Sequence, residues 1–235
     1  MSKHFIFNDD CIDFMNKIID KNSLERERLF NCIITDIPYN VSRKNNFNTI
    51  GRKGLDFGEW DKEFDTVKWL ENATKLVNKN GSMLIFCSIQ QISFLITKLN
   101  ELGFEHKDVI VWVKSNPMPR NIERRYVQSN EYILWVVKKG AKWTFNKPKD
   151  IPYLKQIIEN SICSGKERTE HPTQKPLELM KKLISIHTNE NDYVLDCFMG
   201  SGSTGVACKL LNRNFVGVEL DKNYFNIAKK RLEEI

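Results

Sequence analysis

Residues 194–205, Val194-Leu195-Asp196-Cys197-Phe198-Met199-Gly200-Ser201-Gly202-Ser203-Thr204-Gly205, run from an apolar strand through a glycine-rich turn into a helix start. Gly200, Gly202 and Gly205 satisfy G-x-G-x-x-G, and acidic Glu219 closes the next apolar run, 215–218. Glycines at this spacing let the backbone approach a nucleotide, and an acid at that distance accepts hydrogen bonds from ribose hydroxyls. A glycine turn that serves only close strand–helix packing is the blander reading, and the placement of the acid argues against it. Strand–turn–helix units of this kind commit a chain to an α/β fold.

The rest of the sequence keeps that rhythm. Short apolar runs at 4–7, 31–35, 82–87, 108–113, 132–137, 193–196 and 215–218 alternate with helical periodicity. Apolar faces recur at Ile12/Met15/Ile18, at Phe64/Val67/Leu70/Ala73/Leu76, and at Ile92/Leu95/Leu99/Leu102, the last stopped by Gly103. Pro176 suits the first turn of another helix, 204–211 reads as a short one, and Asp221 caps the last. The expectation is a Rossmann-like, mostly parallel seven-stranded sheet with helices on both faces, filling a single domain over 1–235.

A dinucleotide would need a second nucleotide-binding half downstream of the glycine loop, and only one helical pattern follows Glu219. One adenosine with an amino-acid tail and no pyrophosphate, as in S-adenosylmethionine, fits this arrangement better. A nicotinamide oxidoreductase is therefore the outside alternative.

A second segment carries the chemistry. Cys32-Ile33-Ile34-Thr35-Asp36-Ile37-Pro38-Tyr39-Asn40 sets a carboxylate, a proline and an aromatic at the carboxyl end of an apolar strand, where open α/β sheets bind ligands. Here the chain resembles the DNA amino-methyltransferases, whose motif is D/N/S-P-P-Y/F/W and whose fold is the S-adenosylmethionine-dependent methyltransferase fold. The resemblance implies that Asp36 and the backbone carbonyl of Ile37 accept hydrogen bonds from the amino group to be methylated. It implies too that Pro38 shapes the turn and that Tyr39 stacks on the base. Such acceptors are needed because the lone pair of an aromatic amine is delocalised into the ring. Ile37 departs from the usual proline; the resemblance assigns this position's carbonyl rather than its ring, so the site is expected to survive with less rigidity.

Motif order sharpens the resemblance. The Asp-Ile-Pro-Tyr segment comes first, His171-Pro172-Thr173-Gln174-Lys175-Pro176 comes later, and the glycine loop follows. This is similar to the β class, with a catalytic half at about 1–113, a target-recognition insertion at about 114–170 and a cofactor half at about 171–235. Carried over, Lys175 meets the cofactor carboxylate and Asp196 its ammonium group. Phe198, Gly200, Ser201, Gly202 and Thr204 surround its methionine part, with Asp36 facing the same pocket. Glu219 holds the ribose, and Asp10 and Cys11 sit beside the adenine. The methyl donor leaves as S-adenosylhomocysteine.

Net charge is +6, mildly basic, which permits an anionic partner without identifying one. Basic residues fall mainly in two excursions from the sheet pattern, 41–60 and 115–173. Arg43, Lys44, Arg120, Arg124, Arg125, Lys142 and Trp143 are the candidates for contacting DNA, by phosphate pairing and stacking. For the cluster around Trp143, a solvated face with the indole folded inward is an equal alternative. The target atom lies inside a duplex, so the base must be flipped out.

The six cysteines include no C-x-x-C pair and sit mostly in apolar segments, which predicts reduced, buried small hydrophobes. The four histidines lack metal-ligand spacing, and no metal is expected. With no signal peptide or membrane-length apolar run, the expected location is the cytoplasm, the protein being prokaryotic or phage-encoded. DNA is the expected partner, with a homodimer and a companion restriction endonuclease as further associations. Because the family's cytosine-N4 enzymes more often carry serine at this motif position, the resemblance implies that Asp36 goes with adenine N6, with cytosine N4 the close alternative. Small-molecule or protein amide methyltransferases usually carry the glycine loop first. A non-catalytic DNA-binding module conflicts with an intact Asp36, Tyr39 and glycine loop.

Overall fold

The computed structural model describes residues 2–22, 30–39, 64–119 and 122–235. Its strands are β1 (His4–Phe7), β2 (Phe30–Asp36), β3 (Val77–Cys87), β4 (Phe104–Lys114), β5 (Asn130–Lys138), β6 (Ile157–Asn160), β7 (Tyr193–Asp196) and β8 (Asn214–Val218). Its α-helices are α1 (Cys11–Asn22), α2 (Thr66–Leu76), α3 (Ile92–Glu101), α4 (Leu177–His187), α5 (Ser203–Leu210) and α6 (Lys222–Glu233).

The sheet has eight strands in the order β1-β8-β7-β2-β3-β5-β4-β6, one more than the seven expected. The extra strand, β6, pairs parallel with the outer side of β4, Val111 opposite Ile157. Among the described strands, only β5 runs antiparallel to its neighbours. Strands buried on both faces need apolar residues at successive positions. In β2, Ile33 joins the core under α1, α2 and α3, while Cys32 and Ile34 join the core under α4, α5 and α6.

Helix ends follow local chemistry. Asp10 Oδ1 accepts from the Ile12 and Asp13 amides at 2.8 and 3.0 Å, capping α1, and Asp221 caps α6 through the amides of Asn223 and Tyr224. The chain leaves α3 through Gly103 at φ +84°, a left-handed conformation that suits glycine. Helix α2 passes into β3 directly at Val77. All six cysteines are buried and free. Among the described residues, no helix is long and apolar enough to cross a membrane.

Candidate active site

Parallel strands β1, β8, β7 and β2 bring their carboxyl ends to one edge of the sheet. Asp196 ends β7 there, buried, accepting from Thr35 Oγ1 at 2.7 Å, Thr204 Oγ1 at 2.5 Å and the Phe198 amide at 3.1 Å. Burial pushes its carboxyl up to about 6 against the pull of these donors. The turn that follows needs its glycines. Gly200 has φ +54°, and a Cβ there would lie 2.8 Å from His171 Nε2; Gly202 has φ +78°, and its Cβ would lie 2.9 Å from Ala228 Cβ. Gly205 serves packing, since a Cβ would lie 2.6 Å from the Phe215 ring.

Glu219 follows β8 and is folded back onto the glycine loop. Its Oε2 accepts from the Gly200 amide at 2.7 Å and its Oε1 from the Asp221 amide at 2.8 Å. Each oxygen keeps a lone pair for a further donor. Burial raises its carboxyl above the ordinary range.

A cleft of about 640 Å³ opens along this edge, within the range of small-molecule sites. It brings together Asp10, Cys11, Asp36, Phe198, Gly200 and Glu219 from the expected cofactor set, with Pro38 from the Asp-Ile-Pro-Tyr segment. An adjoining recess, sharing Asp36, Phe198 and Gly200, is lined by Lys175, Asp196, Ser201 and Thr204. Gly202 lines neither space and backs onto α6. The set fits S-adenosylmethionine: a glycine turn that excludes side chains, an acid with free lone pairs at one end, and a buried carboxylate near the other.

Asp36, at the end of β2, faces both spaces. Ile37 is buried in the core, so packing anchors the turn that a proline ring would otherwise stiffen. The Gln91 side-chain amide donates to the Pro38 carbonyl at 3.0 Å, fixing the turn from β3's outgoing loop. Tyr39 Oη donates to Asp36 Oδ1 at 2.8 Å, and Lys175 Nζ donates to Asp36 Oδ2. The ammonium of Lys175 is buried and lies 3.3 Å from Glu131 Oε2, whose other oxygen pairs with Lys114 at 2.8 Å. Burial raises Asp36, and the ammonium of Lys175 only partly offsets it. Burial acts to discharge Lys175, yet the two carboxylates outweigh it and hold its pKa above the ordinary lysine value. Lys175 therefore pairs with protein carboxylates in this structure rather than standing exposed at a helix start.

Three further residues complete the site. Glu131 is an acid near the start of an otherwise apolar strand, the one local signal that marks it. His171 packs edge-on against Tyr224 at 4.4 Å and walls both spaces; burial holds it down to about 4. Gln174 is tied by its side-chain oxygen to Thr169 and by its amide to the Glu167 carbonyl at 2.7 Å, which sets the backbone that presents Lys175.

The expected DNA contacts divide. Arg43, Lys44, Arg120 and the whole 41–60 segment lie outside the described residues. Arg124 and Arg125 are exposed on the β4–β5 connection, at the sheet end where Glu131 meets Lys175. Lys142 and Trp143 lie beyond the other end of β5, away from Asp36. Trp143 packs edge-on to Trp135 at 6.2 Å with Lys107 Nζ 4.1 Å from its ring, and Phe145 stacks on Trp135 at 5.4 Å. Of the two readings of this cluster, the arrangement matches the inward-folded indole, with the apolar gain of covering Trp135 holding it there. Among the described residues, no group of three His, Cys, Asp or Glu side chains is placed to hold a metal ion.

The solved structure of M1.HpyAVI in its SAM complex is 48% identical, with a TM-score of 0.80 over 97% of this chain and 98% of that one. The PvuII DNA methyltransferase, described as cytosine-N4-specific, has a TM-score of 0.75 over 98% of this chain and 86% of that one; at 17% identity it shows the fold alone. Type II methyltransferase M2.DpnII of Streptococcus pneumoniae is 32% identical across 99% of this chain and 90% of its own length. The sequence profile of the DNA methylases, which groups N6 and N4 methyltransferases, matches residues 30–230, and the chain belongs to that family.

Proposed function

We propose that the protein is a site-specific DNA methyltransferase acting on the N6 amino group of adenine, with S-adenosylmethionine as methyl donor. One observation carries the reading: Asp36 and the Gly200–Glu219 cradle face the same cleft. A ribose held by Glu219 and an amino-acid tail beneath the glycine turn would leave the donor's reactive end toward Asp36.

When bound, the cofactor supplies an electrophilic methyl group on a sulfonium. The chain's own work is to orient the amine and strengthen its lone pair. Asp36 accepts one N–H of the target amine and the Ile37 carbonyl the other, which draws the nitrogen toward a tetrahedral form in line with the methyl carbon. Glu219, Asp196 and the glycine turn would hold the cofactor so that its methyl carbon passes to that nitrogen, the carbon–sulfur electron pair staying on sulfur. The surplus amine proton passes to Asp36 and then to water. Ionised Asp36 is required at the outset, and Lys175 favours that form in a site where burial favours the acid.

Arg124 and Arg125 contact DNA phosphates from the β4–β5 connection, within the recognition insertion of about 114–170, while a base flipped from the duplex enters beside Asp36. The relatives described as Type II methyltransferases support a restriction-modification setting, with a companion endonuclease and a prokaryotic cytoplasm. A homodimer belongs to the same reading.

The test is incubation of the purified protein with labelled S-adenosylmethionine and duplex DNA, followed by nucleoside analysis. Label in N6-methyladenine is expected. Label in N4-methylcytosine overturns the base assignment, and none in DNA overturns the substrate.

A further inference from the structure

Lys175 occupies a position the proposed chemistry cannot leave undisturbed. Asp36 has both oxygens engaged, Oδ1 by the Tyr39 hydroxyl and Oδ2 by the Lys175 ammonium. A carboxylate whose lone pairs point at a cation is a poorer acceptor for a neutral amine. The ammonium is buried, over the Phe86 ring at 5.1 Å, so water offers it no easy alternative partner. Glu131 does. Its Oε2 is buried, makes no hydrogen bond of ordinary geometry among the described residues and stands 3.3 Å from Lys175 Nζ. Its Oε1 is pinned by Lys114 at 2.8 Å, which prevents the carboxylate from turning away.

We propose that Glu131 is a positioning residue that draws Lys175 off Asp36 when the target amine arrives, freeing Asp36 Oδ2 to accept the amine hydrogen. Roughly half an ångström of shortening brings the Lys175–Glu131 contact to charge-assisted length, and the ammonium must swing further toward Oε2 to leave Asp36 Oδ2. The four groups Lys114, Glu131, Lys175 and Asp36 carry no net charge together, so the shift exchanges one ion pair for another inside the site without moving a proton. This inference rests on Asp36 being the acceptor for the amine.

Glu131→Gln tests it. Without that carboxylate Lys175 stays on Asp36, so kcat falls roughly tenfold while S-adenosylmethionine affinity, read by calorimetry, changes little. The acid limb of the kcat/KM profile moves to lower pH, because Asp36 loses a neighbouring negative charge. Lys175, Glu131 and Tyr39 face Asp36 directly, with Cys87 from β3 and Asp196 from β7; Lys114 and His171 act through Glu131 and Lys175. Glu131→Asp retains the charge, so its acid limb stays at the wild-type pH while kcat is intermediate. A kcat within twofold of wild type in Glu131→Gln, or a lower kcat with an unmoved acid limb, overturns the proposal. If Glu131→Gln fails to fold, Glu131→Asp decides by the same kcat comparison. Failure of the underlying reading looks different: Asp36→Ala would then still methylate DNA.

Discussion

At the scale of single residues, the site depends on conformations and charges that only certain side chains tolerate. Gly200 combines a left-handed backbone with His171 Nε2 at 2.8 Å from where a Cβ would stand, and its amide holds Glu219. Gly200→Ala is expected to cost ~1–2 kcal/mol in urea unfolding through backbone strain alone, and to weaken cofactor binding roughly tenfold as Glu219 loses its anchor. Gly103→Ala is the control: φ is +84° but nothing lies within 4 Å, so stability falls and cofactor affinity does not. Asp36→Ala is expected to abolish methyl transfer while leaving cofactor affinity within a few fold, as measured by calorimetry. An unchanged turnover would remove Asp36 from the chemistry. The glycines, Asp36 and Glu219 were legible in sequence because each is tied to a strand end. Glu131 was not, because its partner Lys175 is far along the chain and only the folded sheet brings them together.

Elements were legible where periodicity was strong. The seven expected strands all lie within observed ones, and the six helical patterns have counterparts with shifted ends. The missed strand, β6, has four residues with one buried, too short to display alternation, and it owes its existence to pairing with β4. The segment after β5 misled for a related reason. Its lysines and aromatics read as a surface, yet Asn146 bonds the end of α4 through the Ile186 and Thr188 carbonyls and straps the segment down. His187, closing α4, is buried between this strap and Trp135, 4.7 Å from the indole, with Nδ1 unpaired among the described residues. Burial holds it at about 4, below the ordinary 6.5. Between those pH values the unfolded chain binds a proton that the folded chain refuses. The stabilisation is therefore complete above pH 6.5 and lost as pH falls toward 4. His187→Leu removes this one dependence: its stability relative to wild type should rise by up to ~3 kcal/mol from pH 7 to 4 in urea unfolding. Parallel pH profiles for the two proteins would show that the imidazole titrates normally.

Over the whole molecule, the site is assembled from residues that are remote in sequence. The cleft draws on Asp9 to Cys11 before and within α1, on Asp36 after the central strands begin, and on Phe198 through Tyr224 near the other end. The β1–β8 pairing holds the first and last of these together, His4 opposite Phe215. A ligand bound across the cleft therefore bears on the sheet's integrity as a unit, and its binding energy should appear as global stability. At a hundredfold excess over Kd the gain is about 2.7 kcal/mol, equivalent to a Tm increase of roughly 5–10 °C in a domain of this size. Thermal unfolding with S-adenosylmethionine and with S-adenosylhomocysteine should both show it, because the adenosine and amino-acid groups contacted are common to the two. NAD should give no shift: its second nucleotide and pyrophosphate would meet the glycine turn, where His171 and Glu219 already pack against Gly200. A shift with NAD and none with either adenosyl compound would instead mean that the cleft is built for a dinucleotide, and the acceptor role of Asp36 would fall with the methyl donor.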